Sequence, residues 1–153
     1  MAMYHYHING QGIITHEGII IEDHSLIDLV YKNMDINRTG TCPEARFYAR
    51  IGNEEIFLHT EDTPIVWKYL QDDRLCMTDS ISIPFSIRDL RFSKEGNLYH
   101  RSQLGGWGRM SARLLVEMRV KRMLKASTDR HMDQATIVLV VVVMMHIVIV
   151  MLL

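Results

Sequence analysis

Cysteine is scarce in this chain, and the scarcity bounds its redox setting. Cys42 and Cys76 are the only two among 153 residues; they form no C-x-x-C pair and cannot build the disulfide framework of a small secreted domain. A reducing compartment follows. An excess of one charge is missing as well: 17 Lys and Arg stand against 18 Asp and Glu, so no global field gathers nucleic acid, and no nucleic-acid partner is expected. Met1–Ile8 lacks both the basic start and unbroken apolar run of a signal peptide and the Arg-rich amphipathic pattern of a transit peptide. Export is therefore disfavoured. Neither a P-loop, nor a G-x-G-x-x-G fingerprint, nor a G-x-S-x-G nucleophile elbow occurs, so no cofactor is implied and covalent catalysis finds no support.

What is present is a series of short apolar runs broken by turn residues. Tyr4, Tyr6 and Ile8 alternate with His5 and His7 up to Asn9-Gly10, a dipeptide suited to a two-residue hairpin, and the chain returns through Ile13 to His16. Ser25 to Asp28 fits a capping box, and Leu26, Leu29, Val30 and Met34 at helical spacing predict a helix over Ser25–Met34. Arg46–Ile51 and Glu55–His59 form a second hairpin through Gly52-Asn53, and further short strands are expected at Ile65–Leu70, Leu75–Met77, Ile81–Ile83, Leu90–Phe92 and Leu98–His100. Gly10, Gly40, Gly52 and Gly96 are expected in turns with positive φ. The run Gly105–Gly108 reads as a flexible loop before a helix from Ser111 to about Lys125.

These signals predict an α+β domain over residues 1–125, its sheet mainly antiparallel, with two or three helices. A polar linker over 126–134 leads to a C-terminal apolar helix. That last segment, Ala135–Leu153, has 19 residues without a formal charge if His146 is neutral; as a helix it would rise about 28 Å, close to the roughly 30 Å of a bilayer core. Arg113, Arg119, Lys121, Arg122 and Lys125 precede it as a cytoplasmic juxtamembrane cluster would. Its many β-branched residues also suit a buried or aggregating strand; a translated simple nucleotide repeat and a buried helix are further readings.

The motifs, in order, resemble Uncharacterised Protein Family 0598, a eukaryotic domain of unknown function with some mitochondrial members. The resemblance is carried by Tyr6-x-Ile8-Asn9-x-Gln11-Gly12, Asn37-Arg38-Thr39-Gly40, Gly52-Asn53-Glu54, Glu61-Asp62-Thr63-Pro64-Ile65-Val66, Pro84-Phe85, Gly96-Asn97-Leu98-Tyr99-His100 and Gly105-Gly106-Trp107-Gly108, spanning about Tyr4 to Glu117. The family pattern carries two cysteines where this chain has Ile51 and Thr60, so no thiol or metal role transfers from those positions. The apolar tail also departs from the family, and no catalytic residue is carried over. The resemblance implies a mitochondrial location as the alternative to a cytosolic one.

The catalytic candidates are His59, Asp62 and His100: the run His59-x-Glu61-Asp62 puts an imidazole and carboxylates at a strand end, with His100 able to approach from another strand. The spacing fits no ligand signature, and a capped turn at Asp62 is the simpler reading. His5 and His7 share one strand face, which an amphipathic strand explains as well as ligation does, so no metal site is assigned. Gly105, Gly106, Gly108 and Arg109, ahead of a helix start at Ser111, offer amides and a cation for a small anion; a mobile loop with Trp107 packed on the sheet is the alternative.

Two functions follow. The favoured one is a non-enzymatic, membrane-tethered adaptor or scaffold inside the cell, its domain cytosolic, its membrane contact Ala135–Leu153 and its partner a protein. The other is a small enzyme acting on a phosphorylated or acidic metabolite, with Arg109 and the glycine loop holding the anion and His59, Asp62 or His100 moving protons.

Overall fold

The computed structural model describes residues 1–102 and 106–119. The linker over 126–134 and the segment over 135–153 lie outside the described residues.

Parallel pairing of the first strand with a distant one sets the architecture. Strand β1 (Ala2–Ile8) runs beside β6 (Glu54–Thr60), with Ala2 opposite Glu54 and Ile8 opposite Thr60. Around this pair a six-stranded sheet assembles in the order β3-β2-β1-β6-β5-β4, where β2 is Ile14–His16, β3 Ile19–Ile20, β4 Met34–Ile36 and β5 Phe47–Ile51. A three-stranded sheet holds β10 (Ile81–Pro84), β9 (Arg74–Thr78) and β8 (Tyr69–Gln71). The third sheet runs β11-β12-β13-β7, from Leu90–Phe92 through Leu98–Arg101 and Trp107–Met110 to Val66–Trp67. All pairings are antiparallel except β1 with β6 and β13 with β7.

The expected α+β class with two or three helices is corrected, while the C-terminal apolar helix of that expectation falls outside the described residues. Thirteen strands in three sheets dominate the described residues, beside one nine-residue α-helix and a single 3-10 turn at Ile87–Asp89; residues 112–119 are helical up to the last one described. No helix among the described residues is long and apolar enough to cross a membrane. The physical reason lies in the apolar runs, each a few residues long and closed by turn chemistry. Such runs cannot repay helix nucleation, whereas they pair readily as strands.

Helix α1 (His24–Lys32) starts one residue earlier than the capping-box reading places it, because Asp23 is the cap: its Oδ1 accepts from the amides of Ser25 at 2.9 Å and Leu26 at 3.1 Å. The helix ends before Met34, which enters β4. Val30, Tyr31 and Met34 pack with Tyr6, Ile8, Phe47, Ala49, Ile56 and Leu58 in a core that continues into Trp67, Leu75, Met77, Leu98, Met110 and Leu114 of the other layers. Because strand side chains alternate faces, burying Tyr6, Ile8, Ile56 and Leu58 sends His5, His7, Phe57 and His59 to the opposite face.

The first hairpin differs from its expected form. Ile8 pairs with Ile14, leaving a loop from Asn9 to Ile13 in which Asn9 Oδ1 accepts from the amides of Gln11 and Ile13. The positive φ therefore falls on Gly12, at +78°, rather than on Gly10. Gly40, Gly52 and Gly96 do take positive φ.

Candidate functional site

Two polar assemblies stand out. The first is the corner where β6 exits. Asp62 Oδ2 accepts from the Tyr99 hydroxyl at 2.7 Å and pairs with Arg109 Nη1 at 3.4 Å, and Arg109 Nη2 donates to Asn97 Oδ1 at 2.9 Å. Glu61 lies beside it and accepts from the Gly10 amide at 2.8 Å. Burial first, and then the bond to Asp62, hold the Tyr99 hydroxyl above its ordinary range, so it remains a donor. The Arg109 amide is spent too, on Ile65 O at 2.9 Å and Thr63 Oγ1 at 3.2 Å. A half-exposed ion pair of this kind contributes roughly 0.2–1 kcal/mol, so the corner is a latch of modest strength.

The glycine run is only partly a loop. Gly105 lies outside the described residues, Gly106 is exposed with φ +83°, and Trp107 and Gly108 already belong to β13. Gly108 is buried under Trp67, and a Cβ at this position would meet the indole Nε1 and lie 2.9 Å from Ile65 Cγ2. Its lack of a side chain thus serves packing. Trp107 stacks against Arg91, whose guanidinium carbon lies 5.7 Å from the ring centre.

His100 is 2% exposed, and the Ser86 amide donates to its Nε2 at 3.1 Å. An amide must donate, so Nε2 carries the lone pair, and Nδ1–H donates to Arg101 O at 2.8 Å. Both nitrogens of His100 are committed to backbone. Of the three catalytic candidates, Asp62 joins Arg109, His100 sits inside the third sheet, and His59 belongs to the outer face of the six-stranded sheet.

That outer face carries the second assembly. The β1–β6 register sets His5 beside Phe57 and His7 beside His59, and the rings stack: His5 on Phe57 at 5.7 Å, His5 on His59 at 5.3 Å, His7 on His59 at 4.9 Å between centroids. His5 Nδ1 and His59 Nε2 are 3.0 Å apart. Cys42 reaches the pair from the loop after β4, with Sγ 3.9 Å from His5 Nδ1 and donating to Glu44 Oε1 at 3.0 Å. Asn37 shapes that loop by donating through Nδ2 to the carbonyls of Thr41, Cys42 and Ala45. Cys42 is held at φ +51°, a left-handed conformation that costs a non-glycine residue on the order of 1 kcal/mol.

Desolvation first, then the neighbouring His7 and His5, lower the basicity of His59, favouring its neutral imidazole. Desolvation, followed by the bond to Glu44, raises the Cys42 thiol. Sequence reasoning pairs His5 with His7 and leaves out Cys42, Glu44, Tyr99 and Asn97; the groups these residues gather around, His5, His59, Asp62 and Arg109, lie on other strands and loops, so no local signal marks them.

No protein-family model matches the chain, and no curated protein matches it. Its fold is that of a class of proteins of unknown function. One structural neighbour is a DUF1285 family protein from Shewanella baltica OS155, with TM-score 0.53 and 13% identity over 74% of this chain and 89% of the other. Another is a DUF1285 family protein from Silicibacter pomeroyi DSS-3, with TM-score 0.54 and 13% identity over 76% of this chain and 69% of the other. The likeness is one of fold. It does not confirm the resemblance to Uncharacterised Protein Family 0598, which rests on the motifs alone.

Proposed function

We propose that the chain is a non-enzymatic adaptor or scaffold whose partner is another protein. The supporting observation is how the groups needed by the alternative, a small enzyme for a phosphorylated or acidic metabolite, are already used. Arg109 faces the Asp62 carboxylate and Asn97, and His100 is bonded to backbone through both nitrogens. An incoming anion would have to displace Asp62 and would meet Glu61 close by, a like-charge arrangement that weakens binding. Titration with inorganic phosphate, followed by tryptophan fluorescence, is expected to give no saturable change up to roughly ten millimolar, far above an ordinary substrate KM. A saturable change that disappears in Arg109→Met would support the enzyme instead.

Membrane attachment through Ala135–Leu153 belongs to the same proposal, with the domain on the cytosolic side. It rests on the sequence: thirteen of the 19 residues are Val, Ile or Leu, each contributing about −0.3 to −0.6 kcal/mol to insertion. After alkaline carbonate extraction, the full-length chain is expected in the membrane pellet and a chain ending at Gln134 in the supernatant. Full-length protein in the supernatant would remove the tether.

A further inference from the structure

We propose that His5, Cys42 and His59 form a binding site for a borderline-soft divalent cation of the zinc class. The three come from different parts of the chain, β1, the loop after β4, and β6, yet offer one ligand atom each within 4.8 Å of one another. Their spacing fits the ion. Tetrahedral zinc, with bonds of about 2.0 Å to nitrogen and about 2.3 Å to sulfur, sets two nitrogens roughly 3.3 Å apart and nitrogen and sulfur roughly 3.5 Å apart. The observed separations are 3.0 Å between His5 Nδ1 and His59 Nε2 and 3.9 Å between Cys42 Sγ and His5 Nδ1. Shifts of a few tenths of an ångström bring these two separations to the zinc values, and rotation of the partly exposed Cys42 side chain closes the third, from Cys42 to His59, which lies within 4.8 Å.

The donor set selects the class. Two imidazoles and a thiolate suit zinc or cobalt(II), whereas magnesium and calcium require oxygen ligands. His7, stacked on His59 at 4.9 Å between centroids, holds that ring in orientation. On binding, the Cys42 sulfur forms the metal bond and its proton leaves through Glu44, whose Oε1 already accepts it at 3.0 Å; the hydrogen between His5 Nδ1 and His59 Nε2 passes to solvent as its ring takes the other tautomer, which frees both lone pairs for the ion. The fourth position is taken by water or by a side chain of a partner. The bound ion would tie the 37–46 loop to the central strand pair. This site goes beyond the adaptor reading and stands or falls independently of it.

Cobalt(II) titration of the chelator-treated full chain, under a reductant that does not bind metal, tests the site. The expected result is a thiolate-to-cobalt charge-transfer band, with the intense visible bands of four-coordinate cobalt, lost on addition of zinc. Cys42→Ser should abolish the charge-transfer band, and His59→Asn should weaken binding by roughly tenfold or more, while Cys76→Ala, which changes the other thiol, should keep both. Should Cys42→Ser fail to fold by circular dichroism, alkylation of the unaltered chain decides: zinc is expected to protect Cys42 from iodoacetamide, as read by peptide mass. Absence of the charge-transfer band, its persistence in folded Cys42→Ser, or Cys42 alkylation at the same rate with and without zinc would overturn the site.

Discussion

The Gly108→Val chain is expected to melt roughly 10 °C below the parent. A Cβ at this position meets the Trp67 indole and lies 2.9 Å from Ile65 Cγ2, and Trp67 is 2% exposed in the shared core. Neither neighbour can turn into solvent. Overpacking of this kind costs about 1–3 kcal/mol and sometimes more, and each kcal/mol moves the midpoint of a domain this size by roughly 4 °C. The consequence reaches function: the glycine is there so that Trp67 can lie across β13, and an anion-binding role is not needed to explain it. A thermal melt followed by circular dichroism checks this. An unchanged midpoint would mean that Trp67 does not cover Gly108.

Phe57→Ala is expected to cost about 3–5 kcal/mol, a large share of the stability of an ordinary domain. Phe57 is fully buried although it points away from the main core, with the His5 ring stacked over it. Truncation would leave a cavity beneath the His5–Cys42–His59 cluster and loosen the strand that carries His59. Phe57→Leu keeps most of the volume and should cost less than about 1.5 kcal/mol. Urea unfolding of the two variants measures both values. A loss below about 1 kcal/mol for Phe57→Ala would show that the outer face is not packed as described.

The parts of this fold that were legible in the sequence are those fixed by chemistry within a few residues. Gly52-Asn53 between alternating strands announces the β5–β6 hairpin, and the two strands pair with Ile51 opposite Glu54. At Asn9-Gly10 the same local rule misleads, because the Asn9 side chain bonds Gln11 and Ile13 and moves the positive φ to Gly12. That displacement has a tertiary cause as well: Gly12 lies against Val66, where a Cβ would come within 2.8 Å. The pairing of β1 with β6 spans more than 50 residues of chain and leaves no local trace. The His5–Cys42–His59 cluster depends on that pairing and on the Asn37-tethered loop, so no spacing in the sequence could reveal it. Asp62 and Arg109 are each recognisable as polar residues near turns, but their engagement with one another depends on β13 lying beside β7.

On the reading proposed above, ligand chemistry resides on the outer face at His5, Cys42 and His59, while the Asp62–Arg109 corner is structural. Residue-resolved nitrogen–proton NMR of the full chain, titrated in parallel with zinc and with phosphate, separates the two sites. The expected result is that zinc shifts the amide signals around His5, Cys42 and His59, and that phosphate leaves those of Asp62, Asn97 and Arg109 in place. Saturable phosphate shifts at Arg109, with zinc leaving the outer face unmoved, would contradict it.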